Sequence, residues 1–280
     1  MPAALTAGAV SEFAGPGTPL TQAGFDRALA QLGAAPEALW AVLAVETSGC
    51  GYLPDRRPKI LFERHIFHRT TDGRYDASHP AISAPQAGGY GAGGAQQYAR
   101  LAEALALDRK AALESTSWGL GQIMGANYGA AGFDGAEWLV AAFVASEDAQ
   151  LAGMASFVAG SPMKPAIRDR DWATFARLYN GEDYAVHHYD QHLADNYGGY
   201  VRRGCPDLAV RRAQVYLSYL GLDTGGVDGL AGPLTRQALA GFQQSQGLSP
   251  ADGSITAASL DALAAAATPA PVESARVRPG

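Results

Sequence analysis

Apolar residues at helical spacing dominate the first 200 positions of the chain. A segment from Thr21 to about Leu32 is closed by Gly33, and Pro36 then begins a second helix that stops at Ser48-Gly49. Further helical patterns cover 95–106, 108–116, 136–158, 171–178 and 183–197. This part of the sequence therefore predicts a mainly α fold.

One stretch departs from the helical pattern. Residues 59–67 mix apolar and polar positions and predict a short strand, so we expect a small β element. Residues 70–94 are rich in Gly, Pro, Ser and Asp and predict a long loop, with 88–94 as its most flexible part.

A break near residue 200 predicts two domains. Gly198-Gly199 and Gly204-Cys205-Pro206 bracket a short linker. The predicted first domain spans 1–199, the linker 200–206 and the second domain 207–267, with a flexible tail over 268–280. The full length of 280 residues, divided by about 150 residues per domain, also suggests two domains.

The second domain contains an internal repeat. Asp228-Gly229 is followed by Thr235, and Asp252-Gly253 is followed by Ser259, with an offset of 24 residues. Each Asp-Gly predicts a turn, and each hydroxyl residue lies near a helix start. The repeat is either a functional signature or simply two similar turn–helix units.

Glu46 is the residue most indicative of chemistry. It follows Leu39 by seven residues, so it shares the apolar face of its helix with Val42 and Leu43. Partial burial and the negative end of the helix dipole both raise the pKa of a carboxyl group, as a general acid near neutral pH requires. The alternative is a surface glutamate at a frayed helix end.

Glu63 is a second candidate carboxylate. It follows the bulky apolar residues Leu61 and Phe62. A salt bridge to Arg64 or Arg57 explains it equally well by spacing.

Two further segments carry groups suited to a saccharide. In 117–125, Trp118 offers a face for stacking on a sugar ring and Gln122 offers an amide. A closely packed helix start is the alternative there. Tyr179 and Asn180 precede Gly181, a pattern that is also typical of an ordinary helix end.

Composition excludes several classes of protein. The net charge of −6, without a basic run, argues against nucleic-acid binding. The chain lacks an apolar run of 18 residues for a membrane span, and its first ten residues lack the basic start of a secretory signal. Cys50 and Cys205 lie far apart and allow at most one disulfide.

Metal binding is also disfavoured. His188 and His192 have helical i,i+4 spacing, but the glutamate of the H-E-x-x-H pattern is missing between them. Packed or solvated histidines are the better interpretation. We therefore expect neither a metal nor an organic cofactor.

The first 200 residues resemble the phage-type N-acetylmuramidase family, a branch of the lysozyme-like superfamily. The resemblance is carried by Ala44-Val45-Glu46-Thr47-Ser48-Gly49, Ile60-Leu61-Phe62-Glu63-Arg64-His65, Gly88-Gly89-Tyr90, Ser117-Trp118-Gly119-Leu120-Gly121-Gln122-Ile123-Met124-Gly125 and Leu178-Tyr179-Asn180-Gly181. The layout also looks like a diverged lytic transglycosylase or goose-type lysozyme, except that Gly121 stands where those families usually have Met.

The resemblance implies a lysozyme-like α-rich catalytic domain in which Glu46 is the catalytic acid. It implies that the saccharide cleft includes Ser117, Trp118, Gln122, Tyr179 and Asn180. Glu63 is our choice for the second carboxylate, although goose-type relatives can work without a strong one.

The second domain resembles the type 1 peptidoglycan-binding domain, a small three-helix module. The matching pieces are Val227-Asp228-Gly229-Leu230-Ala231-Gly232-Pro233-Leu234-Thr235 and Ala240-Gly241-Phe242-Gln243. Asp228, Gly229, Thr235 and Phe242 are the signature residues of this wall-binding module.

Together the two resemblances imply a peptidoglycan hydrolase whose partner is bacterial peptidoglycan, and an endolysin is favoured over a secretion-system effector. A monomer is our default expectation. We expect it to cleave the β-1,4 bond between N-acetylmuramic acid and N-acetylglucosamine. It would be made in the host cytoplasm and reach the wall through a holin pore or by export. Three alternatives remain: a lytic transglycosylase, a peptide-cleaving amidase and a non-catalytic wall-binding protein.

Overall fold

A computed structural model describes residues 12–268, which form thirteen α-helices and one small sheet. In chain order the helices are α1 (Gln22–Leu32), α2 (Pro36–Thr47), α3 (Arg64–Thr70), α4 (Gln97–Leu107), α5 (Arg109–Glu114), α6 (Ala136–Ala145), α7 (Glu147–Ala159), α8 (Met163–Asp169), α9 (Trp172–Asn180), α10 (Tyr189–Arg203), α11 (Leu208–Tyr219), α12 (Pro233–Ser245) and α13 (Ala257–Ala267). The strands are β1 (Ile60–Phe62), β2 (Thr116–Trp118) and β3 (Ile123–Met124). The predicted mainly α fold with a small β element is confirmed.

The first two helices begin and end where the sequence predicts. The Thr21 side chain accepts a hydrogen bond from the Gly24 amide at the start of α1, and Gly33 closes it at φ 65°. Pro36 is the first residue of α2. Ser48 ends α2 in the left-handed region at φ 53°.

Helix α2 is the centre of the larger core. Residues 38–43 are all buried, so the helix is enclosed on every side rather than along one stripe. Its most extensive packing partner is α10. Glu46 therefore extends from the end of an enclosed helix, where few positions reach solvent.

The three strands form an antiparallel sheet in the order β1-β2-β3. Ile60 pairs with Trp118, and Trp118 also pairs with Ile123. The turn from β2 to β3 includes Gly119 at φ 69° and Gln122 at φ 47°. The segment 117–125 is thus a hairpin rather than a helix start.

The pattern over 136–158 conceals two helices, not one. Ser146 breaks it with an extended backbone (φ −157°, ψ 151°), and its side chain caps α7 by accepting from the Ala149 amide. The Glu147 amide donates to the Thr18 carbonyl at 2.9 Å, so a distant segment holds the break open. The break carries no glycine or proline, and its local signal is Ser146 followed by the acidic Glu147 and Asp148, a pattern typical of a helix start.

The predicted start of the linker is wrong. Helix α10 runs through Gly198 and the buried Gly199 to Arg203, because its packing on α2 outweighs the low helix propensity of glycine. The non-helical connection before α11 spans only 204–207. Of the predicted tail, 269–280 lie outside the described residues, as does the N-terminal segment 1–11.

Helices α11, α12 and α13 form the smaller core, as expected for a three-helix module. Its buried apolar residues are Ala213, Tyr216, Leu217, Leu239, Phe242, Leu263 and Ala267. This core is small, so polar contacts carry more of the module's stability.

A buried glutamine holds each Asp-Gly turn of the repeat. The Gln214 side-chain oxygen accepts from the amides of Asp228 and Gly229, and its nitrogen donates to Thr235 Oγ1. The Gln243 oxygen accepts from the Gly253 amide in the same way. The repeated Asp-Gly pattern therefore marks two turns, each held by a buried glutamine.

The signature residues of the module lie either in these glutamine-bound turns or in the core. Thr235 is 2% exposed and Phe242 is 6% exposed. Gly229 has φ 71°, and a Cβ there would lie 2.6 Å from Cβ of Pro206. Asp228 is exposed but binds the Gln214 amide. Gly229, Thr235 and Phe242 therefore shape the module, and Asp228 combines a structural contact with an exposed position.

Cys50 and Cys205 are both free thiols, so the disulfide that the sequence allowed is not formed. Over residues 12–268, no single helix is both long and apolar enough to cross a membrane. The pair α1 and α2 passes that test together by length and composition only, and it is bent by 107°.

We predict that Gln214→Leu lowers the free energy of unfolding by about 2–3 kcal/mol, because buried amides of the turn lose their acceptor. Gln243→Leu should act in the same direction. Thermal unfolding followed by circular dichroism measures both. Gln244→Leu, at an exposed position of α12, is the matched control and should change stability little.

Candidate active site

Glu46 is the acidic group of a cleft at the end of α2. It lies in the last turn of α2, partly buried, and the chain turns away immediately after it at Ser48. Asn180 Nδ2, at the end of α9, donates a hydrogen bond to Glu46 Oε1 at 3.1 Å. Two segments that the sequence singled out separately, around 46 and around 180, are thus in direct contact.

The surroundings of Glu46 favour its protonated form. Burial raises the pKa of Glu46 to about 7, while the hydrogen bond from Asn180 opposes the rise. The charge of Glu46 in turn raises the pKa of the neighbouring Tyr179 and Tyr189 hydroxyls, after the larger effect of burial. A carboxyl group with this pKa can donate a proton near neutral pH.

Glu46 opens into a cleft of about 280 Å³. The cleft is lined by Glu46, Thr47, Leu53, Lys59, Ile60, Leu61, Gly94 and Gln122. Among these, Glu46 is the one carboxylate. The cleft lies between the end of α2, the β1 strand and the β2–β3 turn, so it joins the helical and β parts of the domain.

Lys59 is a cleft residue that the sequence analysis did not identify. Its Nζ donates to the Thr47 carbonyl at the end of α2 at 2.7 Å, in addition to the longer bond from the Cys50 amide. A lysine directly before the apolar strand Ile60–Phe62 was the available signal. The sequence alone does not predict this contact, because a turn brings together two residues that lie twelve positions apart.

Gln122 lines the cleft as predicted, but its amide is partly occupied. Its Nε2 donates to the Gly119 carbonyl at 2.8 Å and to the Lys59 carbonyl at 3.2 Å. The Tyr179 hydroxyl donates to the Gly121 carbonyl at 2.5 Å. Tyr179 therefore supports the turn that carries Gln122, and its ring stacks on Phe175.

The prediction that Trp118 stacks on a sugar is wrong. Trp118 is 0% exposed, its indole nitrogen donates to the Leu113 carbonyl, and its ring packs against Phe13. Side chains alternate along a strand, so Ser117 faces the other way, on the same side as its partner Leu61 in the cleft. Ser117 is 8% exposed and stays a predicted cleft residue.

Glu63 lies between β1 and α3, two residues after the cleft-lining Leu61, and is not itself among the residues that line the cleft. Burial raises its pKa, while hydrogen bonding to Tyr90 and the charge of Arg100 oppose this. Its Oε2 lies 3.2 Å from His65 Nδ1, in place of the predicted salt bridge to Arg64 or Arg57.

Burial, with help from nearby arginines, lowers the pKa of His65. The imidazole facing Glu63 is therefore mainly neutral at pH 7. The Glu63 side chain is 13% exposed and contacts His65 rather than Glu46.

Hydrogen bonds from a buried side chain hold the glycine-rich loop beside the cleft in place. Gln97, which is 1% exposed, donates through Nε2 to the carbonyls of Tyr90 and Ala92. Its Oε1 accepts from the Phe62 amide of β1. One buried side chain, which the sequence analysis did not single out, thus ties the loop carrying Tyr90 to the strand that leads to Glu63.

Over residues 12–268 there is no group of three or more His, Cys, Asp and Glu side chains placed to hold a metal ion. His188 precedes α10 at φ 55°, whereas His192 lies within that helix. The two histidines therefore do not share one regular helix, although their spacing would allow it.

Two family models match the chain. The N-acetylmuramidase model covers residues 35–201, and a peptidoglycan binding domain model covers residues 207–263. The first match spans more than half of the chain and includes Glu46, Glu63, Gln122 and Asn180. A search of the curated proteins finds no match.

A solved structure shares the fold. The chain is 43% identical to a protein described as a Burkholderia AP3 phage endolysin, with a TM-score of 0.60. The match covers 66% of this chain and 72% of the endolysin chain. The chain belongs to the N-acetylmuramidase family and is a peptidoglycan hydrolase with a C-terminal peptidoglycan-binding domain.

Proposed function

We propose that the chain is an endolysin that cleaves the β-1,4 bond between N-acetylmuramic acid and N-acetylglucosamine, with Glu46 as the general acid. The observation that carries this proposal is the carboxyl group of Glu46, whose pKa is raised to about 7 and which lines the cleft between the end of α2 and the sheet. A protonated carboxyl at neutral pH is the group needed to protonate a leaving glycosidic oxygen.

In the proposed reaction, Glu46 donates its proton to the glycosidic oxygen as the bond from that oxygen to C1 breaks. The sugar ring then carries positive charge shared between C1 and the ring oxygen. A water molecule adds to C1 and loses a proton, which leaves a reducing end and an ionised Glu46. Asn180 stabilises that ionised form through its hydrogen bond to Oε1.

Glu63 is the proposed second carboxylate, which would accept the proton of the attacking water or stabilise the positive ring. Its position two residues after the cleft-lining Leu61 supports this role. Its raised pKa and its contact with His65 weaken it as a base, so its contribution should be smaller than that of Glu46.

The C-terminal module would hold the enzyme on the insoluble wall and raise its local concentration there. Peptidoglycan is therefore the partner of both parts of the chain, as the two family models indicate.

Mass spectrometry of the soluble products from purified peptidoglycan tests the proposed bond. Reducing N-acetylmuramic acid ends support the proposal. Ends of the 1,6-anhydro type would instead assign a transglycosylase with the same acid, and intact glycan with released peptides would overturn the glycosidase assignment.

We predict that Glu46→Gln lowers kcat by about 10²–10⁴-fold, because the amide cannot donate the acid proton. Turbidity clearing measures the activity, and co-sedimentation with purified walls should show unchanged binding. Glu37→Gln is the matched control, since Glu37 lies in the first turn of the same helix, away from the cleft. Undiminished clearing by Glu46→Gln would disprove its assigned role.

We also predict that activity falls as pH rises through about 7, where Glu46 loses its proton. In Asn180→Leu the hydrogen bond that favours the ionised form is gone, so the pKa rises. The alkaline limb of the pH profile of kcat should then move up by about one unit or less.

Asn196→Leu is the control for Asn180→Leu, because the Asn196 amide donates to the His192 carbonyl on an exposed part of α10. It should leave the pH profile unchanged. A downward shift in Asn180→Leu would contradict the proposed arrangement.

A further inference from the structure

Arg211 belongs to the C-terminal module, but its side chain is fully buried against the catalytic domain. It lies on α11 and is 0% exposed. Its Nη1 and Nη2 donate to the two carboxylate oxygens of Glu147, both at 2.7 Å. Glu147 begins α7 of the catalytic domain and is also 0% exposed. This bidentate pair crosses between the two parts of the chain.

The same two side chains bracket the segment that follows Glu46. Arg211 Nε donates to the Gly49 carbonyl at 2.7 Å. Glu147 Oε1 accepts from the Gly51 amide at 2.8 Å. Residues 49–51 are therefore held from both sides, three residues after the catalytic carboxyl group.

Other module groups close around this segment. A Cβ added to Gly49 would lie 2.8 Å from the Val227 carbonyl, so the module backbone approaches closely there. Val215 of α11 packs with Cys50 and Tyr52 in a separate buried cluster. The Tyr219 hydroxyl donates to the Gly17 carbonyl of the catalytic domain at 2.7 Å.

We propose that Arg211 is a positioning residue for Glu46, so that the C-terminal module helps to build the active site as well as to bind the wall. Arg211 fixes residues 49–51, these fix the end of α2, and the end of α2 aims Glu46 into the cleft. The inference rests on the proposed function of Glu46.

A purely stabilising role would leave catalysis by the folded protein unchanged. The test therefore needs a folded variant that lacks the Arg211–Gly49 contact. The double variant Arg211→Met/Glu147→Gln removes the positive and the negative charge at once. Neither side chain is then left as a buried charge without a partner. The substituted glutamine side chain keeps an oxygen that can accept from the Gly51 or Leu20 amide.

The substrate for the test is a set of soluble peptidoglycan oligosaccharides, on which anchoring to an insoluble wall gives no advantage. Full-length wild type, the double variant and Arg211→Lys are compared by near-ultraviolet circular dichroism, kcat, KM and the pH profile of kcat. Lysine keeps the charge but cannot reproduce the forked contacts to Glu147 and Gly49.

Arg236→Met is the matched control. Arg236 belongs to the same module, and its Nε also donates to a backbone carbonyl, that of Ala231, but within the module. It should behave as wild type in every measurement.

We expect the folded double variant to lose about tenfold to 100-fold in kcat with little change in KM, since small displacements of a catalytic group are costly. The alkaline limb of the pH profile of kcat should also shift in this variant. The shift is expected although the variant keeps the polar groups around Glu46 and its cleft, which include Asn180, Tyr179, Tyr189 and Lys59. Arg211→Lys should show the same changes in smaller degree.

Unchanged kcat and pH profile in a folded variant would overturn the inference. So would a loss seen on intact walls but not on the soluble glycan, because that pattern assigns the module to anchoring alone. If the double variant does not fold, Arg211→Lys decides between these outcomes. Absence of glycan cleavage by wild type would instead disprove the proposed function.

Discussion

Much of the structure depends on one carboxylate taken fully out of water. Burying a charge is expensive unless every oxygen finds a partner. Glu147 meets that condition through the amides of Leu20 and Gly51 and through Arg211, which it binds with both oxygens. Burial raises its pKa, but the charge and hydrogen bonds of Arg211, with the two amides, outweigh it and keep the pKa below its ordinary value. Segments from the start, middle and end of the chain therefore converge on a single side chain.

At the candidate active site the pKa of a buried carboxyl group changes in the opposite direction. Within residues 12–268 the Glu46 side chain accepts a hydrogen bond from Asn180, but desolvation outweighs it and raises the pKa of Glu46 to about 7. The two glutamates lie at opposite kinds of helix terminus, Glu147 at the start of α7 and Glu46 at the end of α2. The helix dipole favours the ionised form at the first position and the protonated form at the second.

Local sequence was sufficient where one segment determines its own structure. Thr21, Gly33 and Pro36 predicted the limits of two helices, and the periodicity of Glu46 with Leu39 predicted a partly buried acid. It was insufficient where a distant segment decides. Thr18 holds open the break at Ser146, and packing on α2 carries α10 through two glycines. Trp118 was misjudged because residue type alone does not tell which side of a strand faces the core. Arg211 and Gln97 carry no local signal, since their partners lie far away in sequence.

The buried contacts between the module and the catalytic domain also bear on how the enzyme moves over its substrate. An enzyme on a flexible tether can reach many bonds from one anchoring point. Here only residues 204–207 separate the last helix of one domain from the first helix of the other, and Arg211 is locked into the opposite surface. The distance from the anchored module to Glu46 is thus fixed. In the proposed anchored state, Glu46 reaches only bonds at one distance from the anchoring point, so each further cut needs a new position of the module on the wall.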